Sequence, residues 1–391
     1  PVLLRRGRGY APRPLALPVP APEPVLSVGA QLKHTFAITV GGRAHLAGHT
    51  GDLEDAATLD AYQGNLAHLR ALLAVEPAWV AHDQHPGYLS TQEAVAAYPP
   101  GRRIAVQHHH AHVAACLAEH GRTGPVVGVA LDGLGLGDDG TLWGGEVLVA
   151  DLLGYRRVGR FGRAPLPGGA AAVRQPWRMA LGYLFAAEPD PGDGADPGAD
   201  PDWCDPGPFL ARLEPTAVAV IRRQLRRGIN APVASSAGRL FDAASSLLGL
   251  RDVSGYEGHA AILLEQVADP TEPGTLPVRT VRRSGLSVYD PRPTLAALVA
   301  GVAAGVAVPV LAARFQRAVA GAVTELAATA AATAGLDVVC LSGGVFGNEW
   351  LLAEVPRRLA AAGLTVLHPH QVPAGDGGIS IEEFGRASAV L

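Results

Sequence analysis

Short apolar or alternating runs along the chain give way at intervals to longer stretches of helical period, and the order in which they do so repeats. VLSVGA, HTFAITV and RAHLAGH read as three strands separated by turn-compatible glycines, Gly41 and Gly42 among them. A helical period follows in LDAYQGNLAHLRALLAV. Then come a strand in WVAHD, a helix near TQEAVAAY, a strand in RIAVQ and a helix from His108 to about His120. VVGVALDG, TLWGGEVLVAD and YRRVGRF then restart the order as a second three-strand run, with GLGLGDDG as its first turn. Helices and strands alternate onward through DVVCLSGG, a helix from Asn348, the strand LTVLHP and a last helix from about Gly378. A repeated βββαβα plan predicts an α/β protein of two similar lobes with a cleft between them.

This is the plan of the actin, sugar kinase and heat-shock ATPase superfamily. Residues 25–122 are expected to form the first lobe and residues 123–391 the second. Residues 1–24, rich in proline and arginine, read as a linker from a missing upstream domain, and the opening Pro1 suggests a cut-out fragment. The acidic segment PDPGDGADPGADPDW, near 188–205, is expected to be a mobile surface loop without catalytic duty. Residues 295–313 carry no charge and approach the roughly 20 residues a bilayer requires. They are mostly Ala, Val and Gly, and Pro309 reads as the start of a second helix, so a buried helix pair is expected and no membrane span.

Composition narrows the function classes. The chain has 32 Lys+Arg against 36 Asp+Glu, a net charge of -4, which offers no basic field for a nucleic acid backbone. Cys116, Cys204 and Cys340 are far apart and form no CxxC pair, so a local zinc knuckle is excluded and a disulfide framework is not expected. A reducing cytoplasm fits this usage, and the N-terminus lacks the basic and apolar regions of a signal peptide.

Six segments carry candidate chemistry. In VQHHHAHVAACLAEH, His108 and His112 stand four apart and share one helix face, which His109 and His110 cannot; that spacing suits one metal ion, with a solvated helix start as the plainer reading. VVGVALDGLGLGDDG ends an apolar strand at Asp132 and sets Gly133, Gly135 and Gly137 where backbone N–H groups could approach an oxyanion, unless the glycines merely make a hairpin turn. VVCLSGGVFGN repeats that grammar with Gly343, Gly344 and a helix start at Asn348, where a base or ribose could approach or a simple tight turn could form. In VPAGDGGISIEEF, Asp376 is an N-cap candidate that becomes a plausible metal ligand beside two histidines and Asp132. PLPGGAAAVRQPWR and SSAGRLFDAASSLLG add Gly168, Gly169, Arg174, Arg178 and Asp242, side chains suited to phosphate and ribose or to surface ion pairs.

Taken together, the ordered segments RRGRGYAPRP, GAQLKHTF, GHTGDLED, HPGYLST, QHHHAHVAA, LDGLGLGDDGTLWGGE, PLPGGAAAVRQPWR, GRLFDAASSLLG, LSGGVFGN and QVPAGDGGIS resemble the C-terminal domain of the HypF family of hydrogenase maturation carbamoyltransferases, almost end to end. The resemblance implies one divalent metal, iron or zinc, on His108, His112, Asp132 and Asp376, with ATP or carbamoyl adenylate cradled by the glycine turns and Lys33 near the phosphate or carbamoyl group. It implies transfer of the carbamoyl group to the C-terminal cysteine of the partner HypE, and an upstream YrdC-like domain that makes the adenylate. His34, Gln175 and His259 depart from the family pattern, which leads one to expect Asn and Glu at the first two. Two other functions stand beside this one: an O-carbamoyltransferase acting on a small-molecule hydroxyl, and a docking module for HypE.

Overall fold

The computed structural model describes residues 3–7, 9–11, 13–190 and 196–381. Strands β1 (Leu15–Ala16), β2 (Val25–Ser27), β3 (Ala37–Val40), β4 (Arg43–Leu46), β5 (Trp79–Asp83) and β6 (Arg103–Val106) form one sheet in the order β1-β4-β3-β2-β5-β6. Helices α1 (Ala56–Leu73) and α2 (Leu89–Ala97) connect β4 to β5 and β5 to β6, and α3 (His108–Glu119) follows. The second sheet holds β7 (Val126–Leu136), β8 (Leu142–Ala150), β9 (Tyr155–Phe161), β12 (Arg279–Arg283), β13 (Leu286–Asp290), β14 (Val338–Ser342) and β15 (Thr365–Leu367) in the order β12-β13-β9-β8-β7-β14-β15. Short strands β10 (Ala164–Pro165) and β11 (Val233–Ala234) join beside β8.

The duplication is explicit in the pairing. β2 runs antiparallel to β3 and parallel to β5, just as β7 runs antiparallel to β8 and parallel to β14. The second lobe is larger because helices are inserted between β9 and β14: α4 (Ala170–Arg174), α5 (Pro176–Ala186), α6 (Gly207–Leu210), α7 (Pro215–Arg227), α8 (Ala237–Leu247), α9 (His259–Val267), α10 (Arg292–Ala303) and α11 (Val308–Ala334). Helix α12 (Glu349–Ala361) links β14 to β15; helical residues resume at 379–381, and the rest of the helix expected from about Gly378 lies outside the described residues. The uncharged stretch around Pro309 is the α10–α11 pair, and no helix among the described residues is long and apolar enough to cross a membrane.

Three features differ from the sequence expectation. Within residues 1–24, β1 pairs with β4, and buried Arg6 donates to the carbonyls of Tyr10, Arg13 and Gln371. A two-residue strand has no readable period, and an arginine satisfied by carbonyls leaves no charge partner in the sequence. Second, residues 372–381 cross back to the first lobe. Val372, Ile379 and Ile381 pack into the small cores of the first lobe, beside Val25, Ala37, Leu46 and Val106. Third, the acidic segment near 188–205 is anchored at both sides. Glu188 receives Arg160, Asp190 lies among Arg279, Arg283 and Arg292, and the Gly198 carbonyl accepts from Arg222 and Arg226. Its middle, residues 191–195, lies outside the described residues.

Helix α3 sits where the lobes meet. It is buried from His108 through Ala118, because small alanines bring it close to β7, and Val113 fills the space that a side chain at Gly128 would need.

Candidate metal centre

The α3 start is built by Gln107, whose side-chain oxygen accepts the backbone N–H groups of His109 and His110 at 2.8 and 2.9 Å. His108, His109, His110 and His112 are all buried, which removes the reading of a solvated helix start. His108 and His112 point their Nε2 atoms to one spot. The Nδ1 of His108 lies 2.7 Å from Asp83 Oδ2, at the end of β5.

Asp132 reaches the same spot from the second lobe. The glycine-rich segment after it is no turn but a continuation of β7. The pairing passes from Leu131–Gly145 to Gly135–Trp143, so β7 advances four residues while β8 advances two, and the bulge swings Asp132 toward α3. The tight turn comes later, at Gly137 to Gly140. Gly135 is required by the histidines, since a Cβ there would stand 2.6 Å from His108 Cδ2 and 2.7 Å from His109 Cε1.

Asp376 closes the group from the segment that returns to the first lobe. His108 Nε2 lies 3.3 Å from Asp132 Oδ2 and 3.9 Å from Asp376 Oδ1; for His112 Nε2 the two distances are 3.9 and 3.8 Å. One donor atom from each of the four residues lies within 4.8 Å of all the others. An ion with bonds of about 2.0–2.2 Å separates tetrahedral ligand atoms by about 3.3–3.6 Å, so the spacing needs only a small contraction. His112 Nε2 is buried and has no hydrogen-bond partner, a lone pair whose burial a cation would offset. Two imidazoles and two carboxylates suit zinc or ferrous iron.

The electrostatics draw positive charge to this point. Burial alone would keep His108 neutral, but its bonds to Asp132 and Asp83 raise its pKa well above that of a free imidazole. Burial would likewise raise Asp132, yet His108 and the nearby His112 ring hold it well below the ordinary carboxylate range. Burial and the Asp132 charge push Asp376 up to about 6.

Lys33 stands at the mouth of the group with its Nζ 2.9 Å from Glu257 Oε1, an ion pair reaching from one lobe to the other. Burial works against its charge, but Asp376 and Glu257 outweigh it and raise the ammonium pKa. Gly344 donates its N–H to Asp132 Oδ1 at 3.2 Å, and a Cβ on it would lie 3.0 Å from that oxygen. Gly343 has φ +100°, with the Leu131 carbonyl 2.2 Å from where a Cβ would be. Both glycines therefore let the loop after β14 close on the carboxylate group.

The remaining sequence candidates are held by local partners. Asn348 caps α12 through Leu351 N–H and donates to Gln316. Asp242 is buried against Arg239 on α8. Gly168 and Gly169, both with positive φ, lead into α4, where Arg174 is exposed; on α5, Arg178 donates to Gln175 and lies over the Trp177 ring. Gly133 has open space in front of it, with Arg239 the nearest side chain. Among the described residues, no hydrogen bond or ion pair joins Gly168, Gly169, Arg174, Arg178, Asp242 or Asn348 to the metal group.

Similarity to known proteins decides the lineage. The family description "HypF Kae1-like domain" matches residues 20–119, and "Carbamoyltransferase, Kae1-like Domain, second subdomain" matches residues 128–382. This chain belongs to the HypF carbamoyltransferase family. Carbamoyltransferase HypF2 of Cupriavidus necator is 40% identical over 97% of this chain and 48% of its own length. A shorter HypF homolog of the same organism is 40% identical over 92% of this chain and 90% of its own length. A crystal structure of full-length HypF in the phosphate- and nucleotide-bound form superposes with a TM-score of 0.92 at 34% identity, over 99% of this chain and 59% of that one. The crystal structure of T.kodakarensis HypF gives a TM-score of 0.84 at 28% identity, over 100% of this chain and 50% of that one. The chain thus spans about half the length of most of these HypF relatives. Against this HypF frame, sequence reasoning missed Asp83 and Glu257. The signal for Asp83 was its place at a strand end in WVAHD, the same setting that singled out Asp132. Glu257 follows an exposed tyrosine in a glycine-flanked loop and carries no local signal.

Proposed function

We propose that this chain binds carbamoyl adenylate in the inter-lobe cleft and transfers the carbamoyl group to the C-terminal cysteine thiol of HypE, releasing AMP, as a step toward the cyanide ligand of a [NiFe]-hydrogenase. The observation that carries this reading is the convergence of His108, His112, Asp132 and Asp376 beside Lys33 and the Gly344 amide, at the junction of two lobes. A divalent zinc or iron ion held by those four residues would supply Lewis acidity and orientation for the mixed anhydride.

The chain's own groups account for the rest. The Lys33 ammonium would meet the negative charge of a phosphate or of a developing oxyanion, a reading supported by its extension toward Glu257 of the other lobe. Gly133, with open space in front of it, would let a nucleotide lie close to the backbone. In the transfer, the HypE thiol loses its proton to solvent, its sulfur forms a bond to the carbamoyl carbon, the bond from that carbon to the phosphate oxygen breaks, and AMP leaves with the electron pair. Burial of His108, His112 and Asp132, with Asp376 partly exposed at the edge, would limit the access of bulk water to the anhydride, which would otherwise hydrolyse. A pure docking role would leave an unpartnered buried His112 nitrogen without a purpose.

The test follows the mass of HypE. With freshly made carbamoyl adenylate, the chain is expected to add one carbamoyl group, and a folded His112→Ala protein is expected to add none. The resemblance assigns adenylate formation to a YrdC-like domain, so these 391 residues are expected to fail with carbamoyl phosphate and ATP alone. Full transfer by His112→Ala, or carbamoylation starting from carbamoyl phosphate and ATP, would contradict the reading.

A further inference from the structure

Asp83 is buried to the same degree as the histidine it contacts: each side chain is 1% exposed, and the Asp83 Oδ2 to His108 Nδ1 distance is 2.7 Å. The register of β5 against β6 pairs Asp83 with Val106, two residues before His108, so the contact is built into the first-lobe sheet. The other carboxylate oxygen, Oδ1, accepts the His85 N–H at 2.7 Å, and the Asp83 carbonyl accepts the Thr91 hydroxyl. The carboxylate is therefore fixed at both oxygens and cannot turn. A carboxylate can only accept, so the shared hydrogen lies on His108 Nδ1, and Nε2, which faces Asp132, is the nitrogen that can give up its proton and offer its lone pair to a cation. That is the nitrogen 3.3 Å from Asp132 and 3.9 Å from Asp376.

We propose that Asp83 is a positioning residue for the metal group: it fixes His108 with Nδ1 protonated and Nε2 facing the cation, and with its second oxygen it ties the HPGYLST loop to the same point. This rests on the reading of His108, His112, Asp132 and Asp376 as a metal site. A buried charged pair is a poor device for stability alone, since apolar packing of the same volume does as well or better. A carboxylate behind a metal-bound imidazole orients the ring and strengthens it as a donor. The loop gains from the same anchor. His85 stacks on Tyr88 with ring centroids 4.3 Å apart, and Tyr88 occupies the residue just before α2, so the segment that begins α2 is referenced to the histidine helix through one side chain.

The experiment loads the full chain with zinc, using a chromophoric chelator to measure affinity and nitrogen NMR of the histidine rings to see which nitrogen carries hydrogen. In the native chain, His108 is expected to show an Nδ1–H protected from exchange and a zinc-bound Nε2. Asp83→Asn, which keeps an acceptor for the His85 N–H, is expected to bind zinc roughly 10- to 100-fold more weakly and to lose the protected Nδ1–H. Asp83→Ser provides the same comparison should the amide variant not fold, and circular dichroism of each metal-free protein reports folding. A native chain with zinc on His108 Nδ1, or a folded variant with native zinc affinity, would overturn the proposal. If the native chain binds no zinc or ferrous iron at all, the metal-site reading itself fails, which is a different result.

Discussion

His34 lies at a position where the family pattern leads one to expect asparagine. It is fully buried, donates from Nε2 to the Val28 carbonyl at 2.8 Å, and packs edge-on against Tyr62. Burial lowers its pKa to about 4. A histidine kept neutral in the fold but free to take a proton when unfolded contributes stability that is whole above pH ~6.5 and lost as the pH falls toward about 4, a difference of about 3 kcal/mol. Asparagine can keep the bond to Val28 and does not titrate. Denaturant unfolding at pH 7.5 and pH 4 is expected to show His34→Asn losing about 3 kcal/mol less than the native chain over that interval; equal losses would contradict the assignment. The two glycines after β14 separate fold from site at the same scale. Gly344→Val should push the Asp132 carboxylate aside and weaken zinc binding about tenfold or more, with little change in melting temperature. Gly343→Ala meets the Leu131 backbone and a positive φ, and should destabilise the fold by about 3 kcal/mol or more. Native zinc affinity in a folded Gly344→Val protein would show that Asp132 is not held by this loop.

Among the elements, what could be read in the sequence divides along a physical line. The strand runs, the α1 period and the α10–α11 break at Pro309 depend on local pattern, and the structure contains them. His108 and His112 were legible for the same reason, since four-residue spacing on a helix fixes a shared face without any tertiary knowledge. The bulge in β7 was not legible, because glycines permit a turn and a bulged strand equally and only the β8 register chooses between them. Asp83 depends on sheet order, and the anchoring of residues 372–381 on the first lobe depends on contacts with segments more than 250 residues earlier. That returning segment has its own clamp at the end of α3. The Glu119 carboxylate accepts the backbone N–H groups of His370, Gln371 and Val372, just before the loop that carries Asp376. Glu119→Ala is expected to cost about 1–3 kcal/mol of stability and to weaken zinc binding, because Asp376 loses its reference to α3. Loss of stability with unchanged zinc affinity would show that the Asp376 loop is held independently of the clamp.

At the scale of the whole molecule, the duplicated lobes matter because neither holds the metal group by itself. The first lobe supplies Asp83, 2.7 Å from His108, α3 at the junction supplies both histidines, the second supplies Asp132 through its bulge, and Asp376 comes from the segment that crosses back. The lobe boundary expected near residue 123 therefore passes through the site rather than beside it. A nucleotide entering between the lobes would meet Lys33 and Glu257 from opposite sides, where a ligand phosphate could take the place of the Glu257 carboxylate on Lys33. The central claim is that one cation sits at this junction, and anomalous X-ray scattering at the zinc and iron edges, on crystals of the chain grown with metal and AMP, tests it most directly. The account predicts a single strong peak about 2.0–2.2 Å from His108 Nε2, His112 Nε2, Asp132 and Asp376; a well-occupied peak elsewhere, with this group bearing none, would contradict it.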